Sequence, residues 1–351
     1  MQKILIIAPS WIGDTMLMHP MLMRLKQRYP AVQIDLFAPP WTADLLRQLP
    51  EVHEVIINPF PHGATHFLAR FRLGRQLRDR HYDHAIVLPN SFKSALVPFF
   101  ADIPLRTGFF GEMRYGLLND IRKLDKAALP LMVERFVQLA EAPGQTIKRP
   151  LPHPTLTVSA QQRRQLLEQL GLNTQQPIAV FCPGAEYGPA KRWPIPYFAS
   201  LAQKLRAQGY AVWLVGSSKD KEAGEKIVAL GNNACRNLCG ATNLAQAITL
   251  LSCADLVVSN DSGLMHLAAA LNRPMLALYG SSSPRFTPPL SNQAQIIKLD
   301  LPCSPCFKRV CPLGHFNCMN QLTPNKVARH IPIHSIEKNN DYSTQRDLQG
   351  V

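Results

Sequence analysis

Short apolar runs alternate with longer amphipathic stretches from the first residues onward. Lys3 to Ala8 is a strand-type run, and the turn-forming Pro9-Ser10-Trp11-Ile12-Gly13-Asp14 follows it, after which apolar positions fall at helical spacing as far as Tyr29. A second strand-type run, Val32 to Phe37, completes a βαβ unit, the building block of a parallel sheet. Further strands are predicted at Glu54 to Ile57 and His84 to Leu88, with helical character from Phe67 to Arg80 between them. Between Ala142 and Pro154 the periodicity stops and Pro143, Gly144, Pro150, Pro152 and Pro154 accumulate, the composition of a linker or exposed crossover.

A second alternation then begins. Strands are predicted at Ile178 to Cys182, Ala211 to Val215, Leu256 to Ser259 and Met275 to Tyr279, and helices at Pro196 to Gln208, Lys219 to Leu230, Leu244 to Cys253 and Gly263 to Leu271. Thr323-Pro324 reads as an N-cap and first-turn proline opening a last helix to about Ile331. The pattern predicts an α/β chain of two Rossmann-like, doubly wound lobes, residues 1–155 and 156–335, facing a central cleft where ligand is expected. The polar, aperiodic residues 336–351 are expected to be a disordered tail.

Of 351 residues 46% are apolar and 18% charged, a balance that excludes a largely disordered or coiled-coil chain. No apolar run approaches the roughly 20 residues of a membrane span, and the first residues lack a secretory signal, so a cytoplasmic location is expected. Lys and Arg outnumber Asp and Glu by 38 to 24, which directs attention to anionic partners: nucleic acid, phosphorylated substrates or an acidic membrane surface. Eight cysteines are too few for a disulfide scaffold. Four of them nevertheless crowd together as Cys303, Cys306, Cys311 and Cys318, with His315 in the last gap. This spacing is compatible with a closed tetrahedral metal site, with free thiols, or with a disulfide or iron-sulfur arrangement.

Candidate chemistry lies on loops that join a strand to the following helix. After the first strand there is no G-x-G-x-x-G, which argues against a nicotinamide dehydrogenase. Asp14 there is either a helix cap or a general base facing the cleft. The loop from Cys182 to Pro194 offers two glycines and the cations Lys191 and Arg192, features that suit a pyrophosphate. Asp261, Ser262 and Gly263 turn the chain into another helix whose backbone N–H groups point at an anion, with His266 one turn along. Glu222, in a third such loop, has the chemistry to accept both hydroxyls of a ribose.

Longer strings carry a resemblance. Pro9-Ser-Trp-Ile-Gly-Asp, Leu88-Pro-Asn-Ser-Phe-Lys-Ser-Ala, Gly111-Glu-Met-Arg-Tyr-Gly-Leu-Leu-Asn-Asp, Cys182-Pro-Gly-Ala-Glu-Tyr-Gly-Pro-Ala-Lys-Arg-Trp-Pro and Asn260-Asp-Ser-Gly-Leu-Met-His closely resemble the ADP-heptose-dependent enzymes of glycosyltransferase family 9, which have the GT-B fold. The likeness runs from residue 1 to about 330. It implies inverting transfer of L-glycero-D-manno-heptose from ADP-heptose to the first heptose of heptosyl-Kdo-lipid A, in synthesis of the lipopolysaccharide core, on the cytoplasmic face of the inner membrane. It also implies Asp14 as base, Lys191 on the diphosphate, Glu222 on the ribose, and Asp261, Ser262, Gly263 and His266 around the nucleotide sugar. The chemistry so implied requires no cofactor; Mg and a structural Zn at the four cysteines are the metals left open, and no nucleic-acid partner is expected.

The N-terminal lobe is then the expected acceptor side, with Lys93, Arg106 and Arg114, and further Arg122 and Lys123, as candidates for the acid groups of the core sugars. Arg70, Arg72, Arg75, Arg78 and Arg80 are expected to form an arginine-rich helix that rests on anionic lipid. Two rivals are distinguishable by experiment. Another GT-B transferase or a sugar-nucleotide epimerase differs in its product, and a non-catalytic nucleic-acid or membrane binder gives salt-sensitive binding without transfer.

Overall fold

The computed structural model describes residues 2–61 and 63–331, so the predicted tail lies outside the described residues. The first sheet contains β1 (Lys3–Ile7), β2 (Gln33–Ala38), β3 (Glu54–Ile57), β4 (His84–Val87), β5 (Leu105–Phe109) and β6 (Asp120–Arg122) in the order β3-β2-β1-β4-β5-β6. The second contains β7 (Ile178–Cys182), β8 (Ala211–Leu214), β9 (Arg236–Asn237), β10 (Leu256–Asn260), β11 (Met275–Tyr279) and β12 (Ala294–Lys298) in the order β12-β11-β10-β7-β8-β9. Every pairing is parallel. Both lobes are therefore doubly wound in the Rossmann order, as the alternating pattern predicts.

Each sheet reverses direction of winding once, between β1 and β4 and between β7 and β10. At such a switch point the two following connections leave on opposite faces and open a crevice beyond the strand ends. The Pro9–Asp14 loop leaves β1, and the loops at residues 183–194 and 261–263 leave β7 and β10, so all three open into such crevices.

The lobes pack through helices. Helix Ile12–Arg28 lies against helix Gly263–Ala270 of the second lobe and against helix Met132–Ala140, and one continuous apolar cluster runs through both lobes. The Pro-rich stretch has no helix or strand and is largely exposed, as its composition predicts. It is tied at its ends: Arg24 donates to the carbonyls of Lys148 and Pro150 at 2.8 and 3.1 Å, and Leu156 N–H donates to Ala270 at 2.9 Å.

The pattern did not reveal β5, β6, β9 and β12 or helices Met132–Ala140 and Ala160–Leu170. In β5 the reason is a polar rung inside the sheet: Thr107 Oγ1 lies 2.7 Å from His84 Nε2 and donates to Asp120 Oδ2 at 2.7 Å, linking β4, β5 and β6. These groups satisfy one another, so the strand survives without an apolar run. The last helix is shorter than expected, Pro324–Ala328.

Candidate active site

Helix Ile12–Arg28 starts four residues after β1 ends. Its entry is fixed from outside by Trp41 Nε1, which donates to the carbonyl of Ser10 at 2.8 Å, and from within the helix by Thr15 Oγ1, which donates to that of Trp11 at 2.9 Å. The N-cap is Trp11, and no side chain caps the helix. Asp14 sits in the first turn and makes no hydrogen bond with any described residue. Burial pushes its carboxyl from 3.8 up to about 6; the charge of Lys191 acts against this and that of Asp261 with it. A carboxylate tuned to this range and held without a partner is suited to take a proton.

Lys191 and Asp261 face it from the other lobe. Lys191 Nζ is 2.6 Å from Asp261 Oδ2, with side-chain exposures of 17% and 4%. Lys191 also lies 5.1 Å above the ring of Tyr187. Asp261 directly precedes Ser262, the N-cap of helix Gly263–Ala270. The first turns of this helix and of Ile12–Arg28 meet with no room to spare: a Cβ on Gly263 would lie 2.9 Å from Ile12, and one on Gly13 would lie 2.9 Å from Cδ2 of His266. The first turns of two helices and one lysine thus adjoin the Asp14 and Asp261 carboxylates, and helix N-termini and a lysine are the groups that favour an anion.

His266 is buried, which holds its imidazole down to about 4 and neutral at physiological pH. Its place against Gly13 makes it a spacer between the lobes. Ser262 Oγ is 3.5 Å from Ser259 Oγ.

The loop carrying Lys191 is clamped by a residue that sequence reasoning did not single out. Asn260, fully buried, donates from Nδ2 to the carbonyl of Pro183 at 2.7 Å and accepts from the N–H of Trp193 at 3.1 Å, so one amide holds both ends of the loop. Trp193 is itself buried, and its Nε1 donates to Leu322 at 2.6 Å. The only signal in the sequence is position, since Asn260 adjoins Asp261 and Trp193 follows the two cations.

Other expected site residues are placed differently. Glu222 is exposed in the first turn of helix Lys221–Leu230, where its ion pair with Lys226 at 2.6 Å holds its carboxyl low. No contact ties it to Lys191 or Asp261. Lys93 is half-buried and makes no ion pair among the described residues.

Arg106 and Arg114, expected on the acceptor side, are engaged with the chain's own carbonyls. Arg106 donates to the carbonyls of Leu117, at 2.7 Å, and Ile103. Arg114 is 2% exposed and donates to those of Pro89, at 2.7 Å, and Phe109. Carbonyls at strand ends need donors when buried, and these guanidinium groups supply them. Arg122 is likewise paired with Asp120 at 2.8 Å. Of the arginine-rich segment, Arg70 is buried 4.1 Å over Phe60 and Arg80 pairs with Glu54, which leaves Arg72, Arg75 and Arg78 exposed.

Among the described residues, the group whose ligand atoms lie mutually within 4.8 Å is Asp35, His53 and Glu54. Asp35 there already accepts from Tyr82 and lies 2.9 Å from His53 Nδ1, and Arg80 neutralises Glu54, which is the bonding of a structural network. The four clustered cysteines are free and partly exposed.

The profile of glycosyltransferase family 9 (heptosyltransferase) matches residues 70–317. The chain is 50% identical over 338 residues to lipopolysaccharide heptosyltransferase 2 of Escherichia coli strain K12, covering 94% of this chain and 97% of that one. It is 50% identical over 308 residues to lipooligosaccharide heptosyltransferase 2 of Haemophilus influenzae, covering 85% and 88%. The solved structure described as E. coli ADP-heptose LPS heptosyltransferase II superposes with a TM-score of 0.84 at 48% identity, covering 93% of this chain and 97% of that chain.

Proposed function

The chain belongs to glycosyltransferase family 9, the heptosyltransferases, and from that premise we propose that it moves L-glycero-D-manno-heptose from ADP-heptose to the first heptose of the lipopolysaccharide inner core, with inversion. Half-identity over nearly the whole chain to heptosyltransferase 2 supports the reaction, and the described donor of the E. coli structure supports ADP-heptose. The observation that carries the mechanism is Asp14: a carboxylate pushed up to about 6 by burial, unpaired, beside a lysine and two helix starts.

In this reading Asp14 accepts the proton of the acceptor hydroxyl as its oxygen forms a bond to the anomeric carbon. The bond from that carbon to the diphosphate breaks, and its electron pair leaves with ADP. A positioned carboxylate contributes ~10²–10⁴-fold in such a step. Negative charge grows on the leaving diphosphate, so Lys191 and the N–H groups at Gly263 stabilise the transition state more than the bound donor. Lys191 turns from Asp261 to the diphosphate, and Asp261 is released to accept from sugar hydroxyls. A single inversion needs no enzyme nucleophile.

Residues 1–155 then supply the base and the acceptor side, and residues 156–335 the donor side. Glu222 reaches the ribose by leaving Lys226, an exposed pair of the kind worth little. Among the described residues no helix is long and apolar enough to cross a membrane. Arg72, Arg75 and Arg78, beside the exposed Phe67 and Leu68, form a surface for the anionic lipid that bears the acceptor.

Incubating the purified protein with ADP-heptose and heptosyl-Kdo-lipid A tests the reading. ADP release with a product one heptose heavier and an inverted anomeric centre is expected. A failure of transfer refutes the substrate assignment, and retained configuration refutes the direct displacement.

A further inference from the structure

We propose that Trp11 and Trp41 on one side of the first lobe's crevice, and Phe92, Phe110 and Tyr115 on the other, form a divided aromatic platform on which the sugar rings of the acceptor glycolipid stack. The proposal rests on the reading of this chain as a transferase whose first lobe receives the acceptor; it adds which surface receives it and by what chemistry.

The topology lines these residues up. Phe37 in β2, Ile7 in β1, Val87 in β4 and Gly108 in β5 stand opposite one another in register, near the C-terminal edge of the sheet. The connection that follows each of these strands carries an exposed aromatic side chain: Trp41 after β2, Trp11 after β1, Phe92 after β4, and Phe110 and Tyr115 after β5. All five are between 40% and 63% exposed, although large aromatic rings are normally mostly buried. A lone exposed ring needs no explanation, but a series of them along one sheet edge marks a binding surface. The switch point between β1 and β4 divides the row. Trp11 is the N-cap of the helix whose first turn carries Asp14, so the base and the rings share one crevice.

Each half is held by its own bonds. Trp41 Nε1 donates to the carbonyl of Ser10 at 2.8 Å, so the one polar group of this indole is used and what stays exposed is apolar ring. On the other side Glu112 accepts from Phe92 N–H at 2.7 Å, and a Cβ on Gly111 would lie 3.0 Å from the Asn90 oxygen, which puts the connections after β4 and β5 in contact. The buried Arg114 pins both through the carbonyls of Pro89 and Phe109. Glu112 and Met113 have φ of 39° and 50°, a region that residues with a Cβ occupy only where their surroundings enforce it. This enforced turn displays Phe110 and Tyr115, whose ring centroids are 5.7 Å apart.

Sugar is the occupant that fits. The faces of a pyranose carry C–H bonds, whose slight positive charge meets the negative face of an aromatic ring, while the hydroxyls at its rim stay hydrated. Four neighbouring strands at about 4.8 Å each span roughly 14 Å, the reach of an oligosaccharide rather than of one sugar. Among the exposed large apolar side chains of these connections Met113 alone is not aromatic, whereas an acyl chain is served equally well by aliphatic groups. Lys93, next to Phe92, is half-buried without an ion pair among the described residues and can meet an acid group of the same oligosaccharide.

The test uses the full chain and, as probe, heptosyl-Kdo-lipid A freed of its acyl chains. Of the four tryptophans, Trp193 and Trp213 are buried, so acrylamide quenching of the fluorescence reads Trp11 and Trp41. The saccharide should shield them at the concentrations that saturate transfer. Trp41→Leu and Tyr115→Leu should each raise the KM for the acceptor about five- to tenfold with that for ADP-heptose unchanged, and Trp41→Phe and Tyr115→Phe should restore most of the loss. Both replacements of Trp41 lose the bond to Ser10, so the difference between them reads the ring. Transfer to the saccharide without shielding overturns the platform, as do leucine variants that keep the acceptor KM or raise that of the donor. Shielding by the acylated acceptor or by phosphatidylglycerol vesicles alone makes the row a lipid surface and overturns it too. A wild type that transfers nothing refutes the substrate reading, while shielding by the saccharide still decides the platform.

Discussion

Asp14→Asn is expected to stabilise the protein while removing its base. The carboxyl is pushed from 3.8 up to about 6 chiefly by burial, so the folded chain holds the proton more tightly than the unfolded one. At about 1.4 kcal/mol per pH unit, the ionised form costs about 3 kcal/mol of folding stability at pH 7. The sign follows from the raised value: the cost is complete above about pH 6 and fades as the pH falls from there toward 3.8. An amide of the same shape escapes it, less whatever its own polar atoms lose. The variant should therefore be more stable by about 1–3 kcal/mol at pH 7.5, with roughly half of that gain left at pH 5 and none near pH 3.8. Urea unfolding of both proteins across this range reads the difference, in which other titrating groups cancel. Equal or lower stability of the variant at pH 7.5, or a gain that ignores pH, would refute the claim that Asp14 is a desolvated, unpartnered carboxylate.

Two further predictions concern its neighbours and a third the exposed arginines. Lys191→Met leaves the buried Asp261 without its partner, a loss of about 3–5 kcal/mol, and weakens ADP binding at least tenfold. Adding Asp261→Asn should restore stability but not ADP affinity, measured by calorimetry; recovery of both would deny Lys191 its diphosphate role. Gly13→Ala places a methyl 2.9 Å from the His266 ring, overpacking the lobe contact by about 1–3 kcal/mol and lowering kcat/KM, and His266→Ala in the same chain should return the lost stability. At low salt the protein should sediment with anionic vesicles, less so for Arg72→Glu/Arg75→Glu, since each cation near such a surface is worth about 1 kcal/mol. Wild type that stays in the supernatant would contradict this.

The alternation of apolar strands and amphipathic helices made both lobes legible, because strands buried on two faces must be apolar throughout. Three of the strands it missed share one cause. Strand β9 spans two residues, β6 is the short polar Asp120–Arg122, and β5 keeps its place through Thr107 bridging to His84 and Asp120. Such elements are held by partners distant in sequence, and periodicity does not register them.

The site divides in the same way. The placement of Asp14, Lys191 and Asp261 was legible because each lies in the connection that follows a strand, and helix Ile12–Arg28 packing on helix Gly263–Ala270 brings those connections together. Arg114 and Asn260 were not, for opposite reasons. Arg114 looks like a free cation until the carbonyls of Pro89 and Phe109 are seen to use it, and Asn260 looks like turn material until its amide is seen to span Pro183 and Trp193.

Heptose transfer by wild type and Asp14→Asn, with ADP-heptose affinity measured on the same preparations, tests the central claim most directly. The account predicts that the variant binds the donor as wild type does and transfers ~10²-fold or more slowly. Transfer within a few-fold of wild type by a variant with unchanged donor affinity would show that another group takes the proton.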